Sequence, residues 1–320
     1  MASADYNQWH RPVLLAETIE ALALKPDGLY VDVTSGGGGH SAAILSQLNA
    51  QGQLIAMDRD ADAREETRKR LESLNTLGSY SIRSSKFSSL SLNLTAGEKG
   101  HIDGLLADLG TSSYQLDEAE RGFSYHQDGP LDMRMDQSEG VSAAEMLASI
   151  NENDLAYILR NYGEEAHAAR IARAIVAERK LTAIKTTTQL AEIISKAVPA
   201  SARRKKHPAR RSFQAIRIAV NREFEEIESL LQQLPDLMSS GGRVVIISFH
   251  SLEDRLIKQT FAKWEDPCEC PREFPVCVCG KKALGRRPQR KVIEASEEEV
   301  EKNIRARSAK LRVFEFGGVA

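Results

Sequence analysis

The chain has 320 residues, 42% hydrophobic and 28% charged, which is enough apolar content to bury a sizeable core and to exclude wholesale disorder. Lys and Arg (43) nearly balance Asp and Glu (45), a net charge of −2, so the strongly basic footprint of many nucleic-acid binders is absent at whole-chain level. No apolar run approaches the roughly 18 residues of a membrane span, and the first residues lack the basic and apolar regions of a secretory signal, so a cytoplasmic protein with no membrane partner is expected.

The first third alternates two periodicities. Residues 29–33 predict a strand, followed by the glycine cluster Gly36–Gly39 and a helix over 40–48. A second strand over 54–57 ends at Asp58-Arg59-Asp60, and a charged amphipathic helix over 61–74 follows. Residues 80–83 and 102–109 predict a third and a fourth strand, with Asp108 at the end of the fourth. This β-α-β-α order predicts a parallel, doubly wound α/β sheet. The next strand that fits is 243–249, opened by Gly241-Gly242. Successive strands of such a sheet lie roughly 30 residues apart, whereas Asp108 and Arg243 are 135 apart. The intervening chain reads as helical: one helix opens at 155–159, a second covers 164–180 with Ala169, Ala172, Ile175 and Val176 on one face, and a third covers 188–197. An all-helical domain over 122–220 is therefore expected to interrupt a sheet domain made of 1–121 and 221–320. Residues 224–237 predict a helix leading into the fifth strand, and the tail beyond Trp264 reads as loops with alternating charge blocks.

Ligands of such sheets bind at the carboxyl ends of the strands. Four features converge there. The run from Asp32 to Ser41 is a strand end, a glycine loop and a helix start, where the backbone can approach a ligand closely. Asp58 ends the second strand, where a carboxylate can accept both hydroxyls of a ribose; a solvated turn or helix cap is the plainer reading. Phe87 follows the third strand, where its ring can cover an adenine or simply join the core. Asp108 ends the fourth strand. Two cofactors fit, a nicotinamide dinucleotide and S-adenosylmethionine. Asp32 stands four residues before Gly36, and a carboxylate there opposes a dianionic pyrophosphate but suits the ammonium of S-adenosylmethionine. The residues thus favour a methyltransferase.

Several longer stretches carry a resemblance. They are His10-Arg11-Pro12-Val13-Leu14-Leu15, the Gly36–Ser41 loop, the segment from Asp108 to Asp117, Arg121-Gly122-Phe123-Ser124, and Pro130-Leu131-Asp132-Met133-Arg134-Met135-Asp136. Tyr162-Gly163-Glu164-Glu165, the segments 207–215 and 247–255, and the segment 305–312 continue the series in the same order. With these the chain resembles the RsmH (MraW) family of bacterial 16S rRNA cytidine N4-methyltransferases. The resemblance implies a Rossmann-like methyltransferase fold with a helical insertion. It implies S-adenosylmethionine bound by Gly38, Gly39, His40, Asp58, Phe87, Asp108 and Gln115, and a target cytidine in the decoding (P-site) region of 16S rRNA, within the small ribosomal subunit. Two departures stand out: Thr34 replaces the first glycine of the common methyltransferase loop, and Asn303-Ile304 stands where the family often has Asn-Pro.

The exocyclic amine of cytosine is a weak nucleophile because its lone pair is delocalised into the ring. A hydrogen-bond acceptor on its N–H helps the nitrogen to pyramidalise, and positioning supplies much of the rest. Asp108, Ser112 and Ser113 stand where such an acceptor is useful. His250, Ser251, Glu253 and Asp254 superficially resemble a hydrolase triad, but no G-x-S-x-G elbow occurs, and helix capping is the plainer reading. Between positions 203 and 217 lie Arg203, Arg204, Lys205, Lys206, Arg210, Arg211 and Arg217 with no acid among them. Lys281, Lys282, Arg286, Arg287, Arg290 and Lys291 form a second acid-free cluster, followed by Arg305, Arg307, Lys310 and Arg312. Either cluster alone reads as a solvated face; together they predict an RNA track, and the target base must be unpaired or flipped out. All four cysteines, Cys268, Cys270, Cys277 and Cys279, form two C-x-C pairs. Four thiolates in one loop suit a structural zinc, yet C-x-C is tighter than the usual zinc spacing, so free thiols are the alternative.

Overall fold

The computed structural model describes residues 12–200, 207–271 and 276–317. In chain order the elements are α1 (Leu15–Leu22), β1 (Leu29–Asp32), α2 (Gly39–Leu45), β2 (Gln53–Asp58), α3 (Ala61–Glu72), β3 (Ser79–Ser84), β4 (Ile102–Asp108), α4 (Ser113–Asp117), α5 (Ala143–Ser149) and α6 (Glu152–Gly163). They continue with α7 (Ala168–Glu178), α8 (Thr187–Ala197), α9 (Arg210–Asn221), α10 (Glu223–Leu237), β5 (Met238–Ser248), α11 (Ser251–Glu265), β6 (Gly285–Arg286), β7 (Ile293–Glu294), α12 (Glu297–Lys302) and β8 (Lys310–Phe316). Two compact units share the chain: Met1–Gly110 with Glu225–Ala320, and Thr111–Phe224.

The discontinuous unit is built on one sheet of order β3-β2-β1-β4-β5-β8-β6, with β7 paired to β8. β1 through β5 pair in parallel, and β8 runs antiparallel to β5. Parallel strands are covered on both faces, so they read as continuous apolar runs. Leu54, Ile55, Ala56 and Met57 of β2, and Val244 to Ile247 of β5, are all buried. Alternate residues point to opposite faces. Val31, Ile55, Leu105, Val244 and Ile246 meet Ile227, Leu230 and Leu234 of α10 and Ile257 and Phe261 of α11. Tyr30, Leu54, Leu106, Val245 and Ile247 meet Leu22, Ile44, Leu45 and Leu71 of α1, α2 and α3 on the other face. The tail departs from its expected loop character. β8 is a central strand whose Leu311 and Val313 serve one face and Phe314 and Phe316 the other. Its Arg312 and Glu315 disguise it in sequence. Their charges are met by Asp254, at 2.6 and 3.2 Å, and by Arg243, at 2.8 Å.

The continuous unit, Thr111–Phe224, is helical. Leu155 and Leu159 of α6, Ile171 and Ile175 of α7, Leu190 and Ile194 of α8, and Phe213 and Ile216 of α9 share one core. The helix expected over 164–180 is shorter. Glu164 adopts the left-handed conformation (φ 49°) and ends α6, and α7 starts only at Ala168. Ser142 with Glu145 and Thr186 with Gln189 form reciprocal capping boxes that fix the starts of α5 and α8. The segment 130–136 is pinned from several sides. Met133 is buried with φ +62°. Asn221 Nδ2 donates to its carbonyl at 2.7 Å, Asn221 Oδ1 accepts from Met135 N at 2.8 Å, and the Arg121 guanidinium donates to the carbonyls of Arg134 and Met135.

Candidate active site

β1 lies between β2 and β4, so the chain leaves the sheet in opposite directions on its two sides. This is the switch point at which open α/β sheets form a ligand crevice. Asp32, Asp58 and Asp108 are the last residues of β1, β2 and β4 and therefore share this edge. The loop from β1 to α2 is anchored to each of them. Thr34 N donates to Asp32 Oδ1 at 3.1 Å, and the Ser41 hydroxyl donates to Asp32 Oδ2 at 2.6 Å. Gly36 N donates to Asp58 Oδ2, and Asp60 N to Asp58 Oδ1, both at 2.9 Å. Gly38 has φ +74°, and a Cβ there would stand 3.0 Å from the Thr67 Cα of α3. The position requires glycine both for its conformation and for the approach of two backbones. Thr34, the departure from the common glycine pattern, has a role of its own: its hydroxyl accepts from Asp108 N at 2.6 Å and ties the loop to the end of β4.

The electrostatics of this edge favour a cationic ligand. Burial pushes the Asp32 carboxyl up to about 6, against the hydrogen bonds from Ser41 and Thr34 that pull it down. Burial raises Asp58 too, opposed by the Asp60 and Gly36 amides. Asp108 is raised well above the usual carboxylate range, first by burial and then by the negative charges of Asp32 and Glu253. Its Oδ2 lies 3.7 Å from Nε2 of the buried His40, and its Oδ1 is buried without a hydrogen-bond partner among the described residues. Neither Asp32 nor Asp108 forms an ion pair with Lys or Arg among those residues. A cation placed here would lower all three pKa values and be held in return, whereas a pyrophosphate would meet like charge.

A profile of the MraW methylase family matches residues 7–317, almost the whole chain. The chain belongs to the MraW methylase family. Among its relatives is the ribosomal RNA small subunit methyltransferase H of Symbiobacterium thermophilum, 49% identical over 304 residues that cover 95% of each chain. The protein of the same name from Carboxydothermus hydrogenoformans is 48% identical over 306 residues, 96% of this chain and 97% of that one. The one from Clostridium botulinum (strain Kyoto) is 47% identical over 304 residues, 95% and 97%. The protein is thus a methyltransferase, and its α/β fold is that of a Rossmann-like enzyme.

In this MraW methylase the remaining expected residues fall into several settings. Gly39 and His40 open α2 beside Gly38. Phe87 opens a short 3₁₀ segment, Phe87–Asn93, and packs half-buried against the α10 and α11 face of the sheet. His250 caps α11: its Nδ1 accepts from Glu253 N at 3.3 Å, while Glu253 Oε2 accepts from Phe249 N at 2.9 Å and His250 N at 3.3 Å. Asp254 is bound by Arg312. The polar run 250–254 therefore holds a helix cap and an ion pair. Ser112 and Gln115 belong to the helical unit and cap α4 reciprocally. Gln115 N donates to Ser112 Oγ at 3.2 Å, and Ser112 N donates to Gln115 Oε1 at 3.1 Å. Ser113 is the first residue of α4.

Of the first basic cluster, Arg203, Arg204, Lys205 and Lys206 lie outside the described residues, Arg210 and Arg211 are exposed in the first turn of α9, and Arg217 is held by Glu223 through two contacts of 2.8 Å. The second cluster changes character in three dimensions. Arg286 pairs with Glu315, Arg287 and Arg290 with Glu265, and Lys281 with Glu269. Its acid-free sequence is largely neutralised by acids from elsewhere in the chain. A ring cluster in the helical unit has no counterpart in the linear pattern, because it joins residues far apart in the chain. Tyr125 stacks on the exposed His207 at 4.5 Å and 17°, beside His126 and backed by Phe213. Partial desolvation, aided by the nearby His126, lowers the His207 pKa from its ordinary value.

Proposed function

We propose that this MraW methylase transfers the methyl group of S-adenosylmethionine to N4 of a cytidine in the decoding (P-site) region of 16S rRNA, acting in the cytoplasm on the small ribosomal subunit. The observation that carries the reading is the Asp108 carboxylate: buried, raised in pKa and short of a donor, at the switch point and beside the glycine loop. When bound, S-adenosylmethionine supplies an electrophilic methyl on a positive sulfonium. Asp32 and Asp108 supply the negative charge that retains its cationic part. Asp58, oriented by the Gly36 and Asp60 amides, keeps lone pairs for ribose hydroxyls, and Gly38, Gly39, His40, Phe87 and Gln115 complete the cofactor set. Asp108, Ser112 and Ser113 are assigned to the target amine, accepting its N–H so that the nitrogen lone pair turns toward the methyl. Holding the amine in line provides most of the acceleration.

The helical unit is assigned to RNA recognition. Arg203, Arg204, Lys205, Lys206, Arg210 and Arg211 neutralise phosphates, and the Tyr125–His207 stack offers a face for an unpaired base. The relatives' name, ribosomal RNA small subunit methyltransferase, supports the substrate class. Mass spectrometry of 16S rRNA from a strain lacking this gene tests the proposal. One N4-methylcytidine should vanish and return with the wild-type gene but not with Asp108→Ala. An unchanged modification profile removes the reading.

A further inference from the structure

The described residues of the loop between α11 and β6 add nothing to the buried core clusters. Val276 and Val278 are 70% and 72% exposed, and Cys268 and Cys277 are exposed as well. Yet the four cysteine sulfurs converge. Cys277 Sγ lies 3.5 Å from Cys268 Sγ, 3.8 Å from Cys270 Sγ and 3.4 Å from Cys279 Sγ, and all four sulfurs lie within 4.8 Å of one another. These separations far exceed the roughly 2.05 Å of a disulfide. They match the edges, about 3.8 Å, of a tetrahedron whose centre is about 2.3 Å from each corner, the bond length of zinc to thiolate. Val278 N donates to Cys270 Sγ at 3.3 Å, a backbone donor suited to a sulfur that carries charge.

Apolar burial does not account for this convergence, because the loop faces solvent. Four thiolates without a counter-ion repel one another, and four neutral thiols attract only weakly. A soft divalent cation between them supplies the missing attraction. The spacing admits one ion, since a multi-iron cluster would hold the sulfurs further apart. The surroundings suit the residual negative charge of a tetrathiolate centre: Lys281 and Lys263 both reach Glu269, between Cys268 and Cys270, and Lys282 is exposed beside them. We propose that Cys268, Cys270, Cys277 and Cys279 form a structural Zn²⁺ site. Four protein ligands leave no open position for a substrate, so the ion orders the loop and takes no part in methyl transfer. Beyond the loop the chain is already tied to the core, where Leu284 N donates to Trp264 O at 2.9 Å. The ion closes the remaining turn and fixes where Lys281 and Lys282 stand.

The test uses full-length protein without a histidine tag, purified after growth with added zinc. Elemental analysis should find one zinc per chain, released when a mercurial reagent titrates the thiols. Cys277→Ser should lose the ion, and so should the double variant Cys268→Ser, Cys270→Ser. Cobalt-substituted wild type should show the intense visible bands of tetrahedral Co²⁺–thiolate, a readout that does not depend on whether the variants fold. Alkylation of all four cysteines should require a chelator. Metal-free wild type with freely alkylated thiols and no cobalt spectrum overturns the site. So does zinc retained unchanged in the variants, which marks an adventitious ion only, and so does stoichiometric iron in place of zinc. S-adenosylmethionine binding should persist in the zinc-free variants, so failure of the metal site and failure of the methyltransferase reading are distinguishable.

Discussion

Replacing Asp108 by Asn separates the stability of the fold from the charge of the cleft. The side chains have the same shape, and the bond that ties β4 to the glycine loop runs from Asp108 N to the Thr34 hydroxyl, which the substitution leaves alone. What changes is a carboxylate whose pKa is raised by burial and by Asp32 and Glu253. Its unfolded value is about 3.9. Because the folded value is higher, the folded state binds the proton more tightly, and ionisation costs stability at every pH above the unfolded value. The cost is absent below about pH 4, grows until the folded pKa is passed, and is constant beyond it. Asp108→Asn should therefore unfold at a higher temperature than wild type at pH 7 to 8, with the gap closing toward pH 4. Function should move the other way. A hydrogen bond or contact to a charged partner contributes about 1.5–3 kcal/mol, or roughly ten- to a hundred-fold in affinity or rate. Calorimetric titration with S-adenosylmethionine and with its uncharged-sulfur product, together with single-turnover methylation, divides that loss. A loss confined to the sulfonium form places the charge at the cofactor, and unchanged binding with slow turnover places it at the target amine. An Asn variant that binds and methylates like wild type refutes the role assigned to this carboxylate.

Gly38→Ala should destabilise the protein by about 2–4 kcal/mol, combining the left-handed conformation with a Cβ 3.0 Å from Thr67 Cα; an unchanged denaturant midpoint would contradict the geometry. Arg83 holds Glu98 through bonds of 2.9 and 2.6 Å and lowers its carboxyl to about 2. The depressed value means that this stability is complete above the unfolded pKa and is lost as pH falls through about 2. Because Gln still accepts one hydrogen bond from Arg83, Glu98→Gln should cost about 1–3 kcal/mol at pH 7, and urea titrations should show the difference shrinking between pH 4.5 and 2. Arg210→Ala with Arg211→Ala should weaken RNA binding at all sequences alike and flatten the salt dependence by a log–log slope of about 1.4. An unaltered slope would mean that neither guanidinium meets a phosphate.

The strands of the parallel sheet were legible because each is local. Residues 54–57 and 244–247 are short continuous apolar runs, and only burial on both faces makes such runs stable. Asp58 and Asp108 were legible for the same reason, since a strand end and a switch point follow from the order of elements. The helical stretch between Asp108 and Arg243 was visible in its periodicity. The link from Asp108 N to the Thr34 hydroxyl was not, and neither was the stack of Tyr125 on His207, because each joins residues far apart in the chain. The reciprocal cap between Ser112 and Gln115 did lie within reach, since a serine followed three residues later by glutamine is its signature.

Charge shows the division most clearly. By itself the sequence determined where the basic residues lie, and a net charge of −2 hid two acid-free clusters. Tertiary structure decided what they meet. Arg286 and Arg287 are answered by Glu315 and Glu265, Arg312 by Asp254, and Arg217 by Glu223, whereas Arg210 and Arg211 stay exposed. Local patterns carry the period of a helix or strand because neighbouring residues set it. Coulomb partners are chosen by distance in space, and for Arg243 and Glu315 that distance exists only once the sheet has brought β8 against β5.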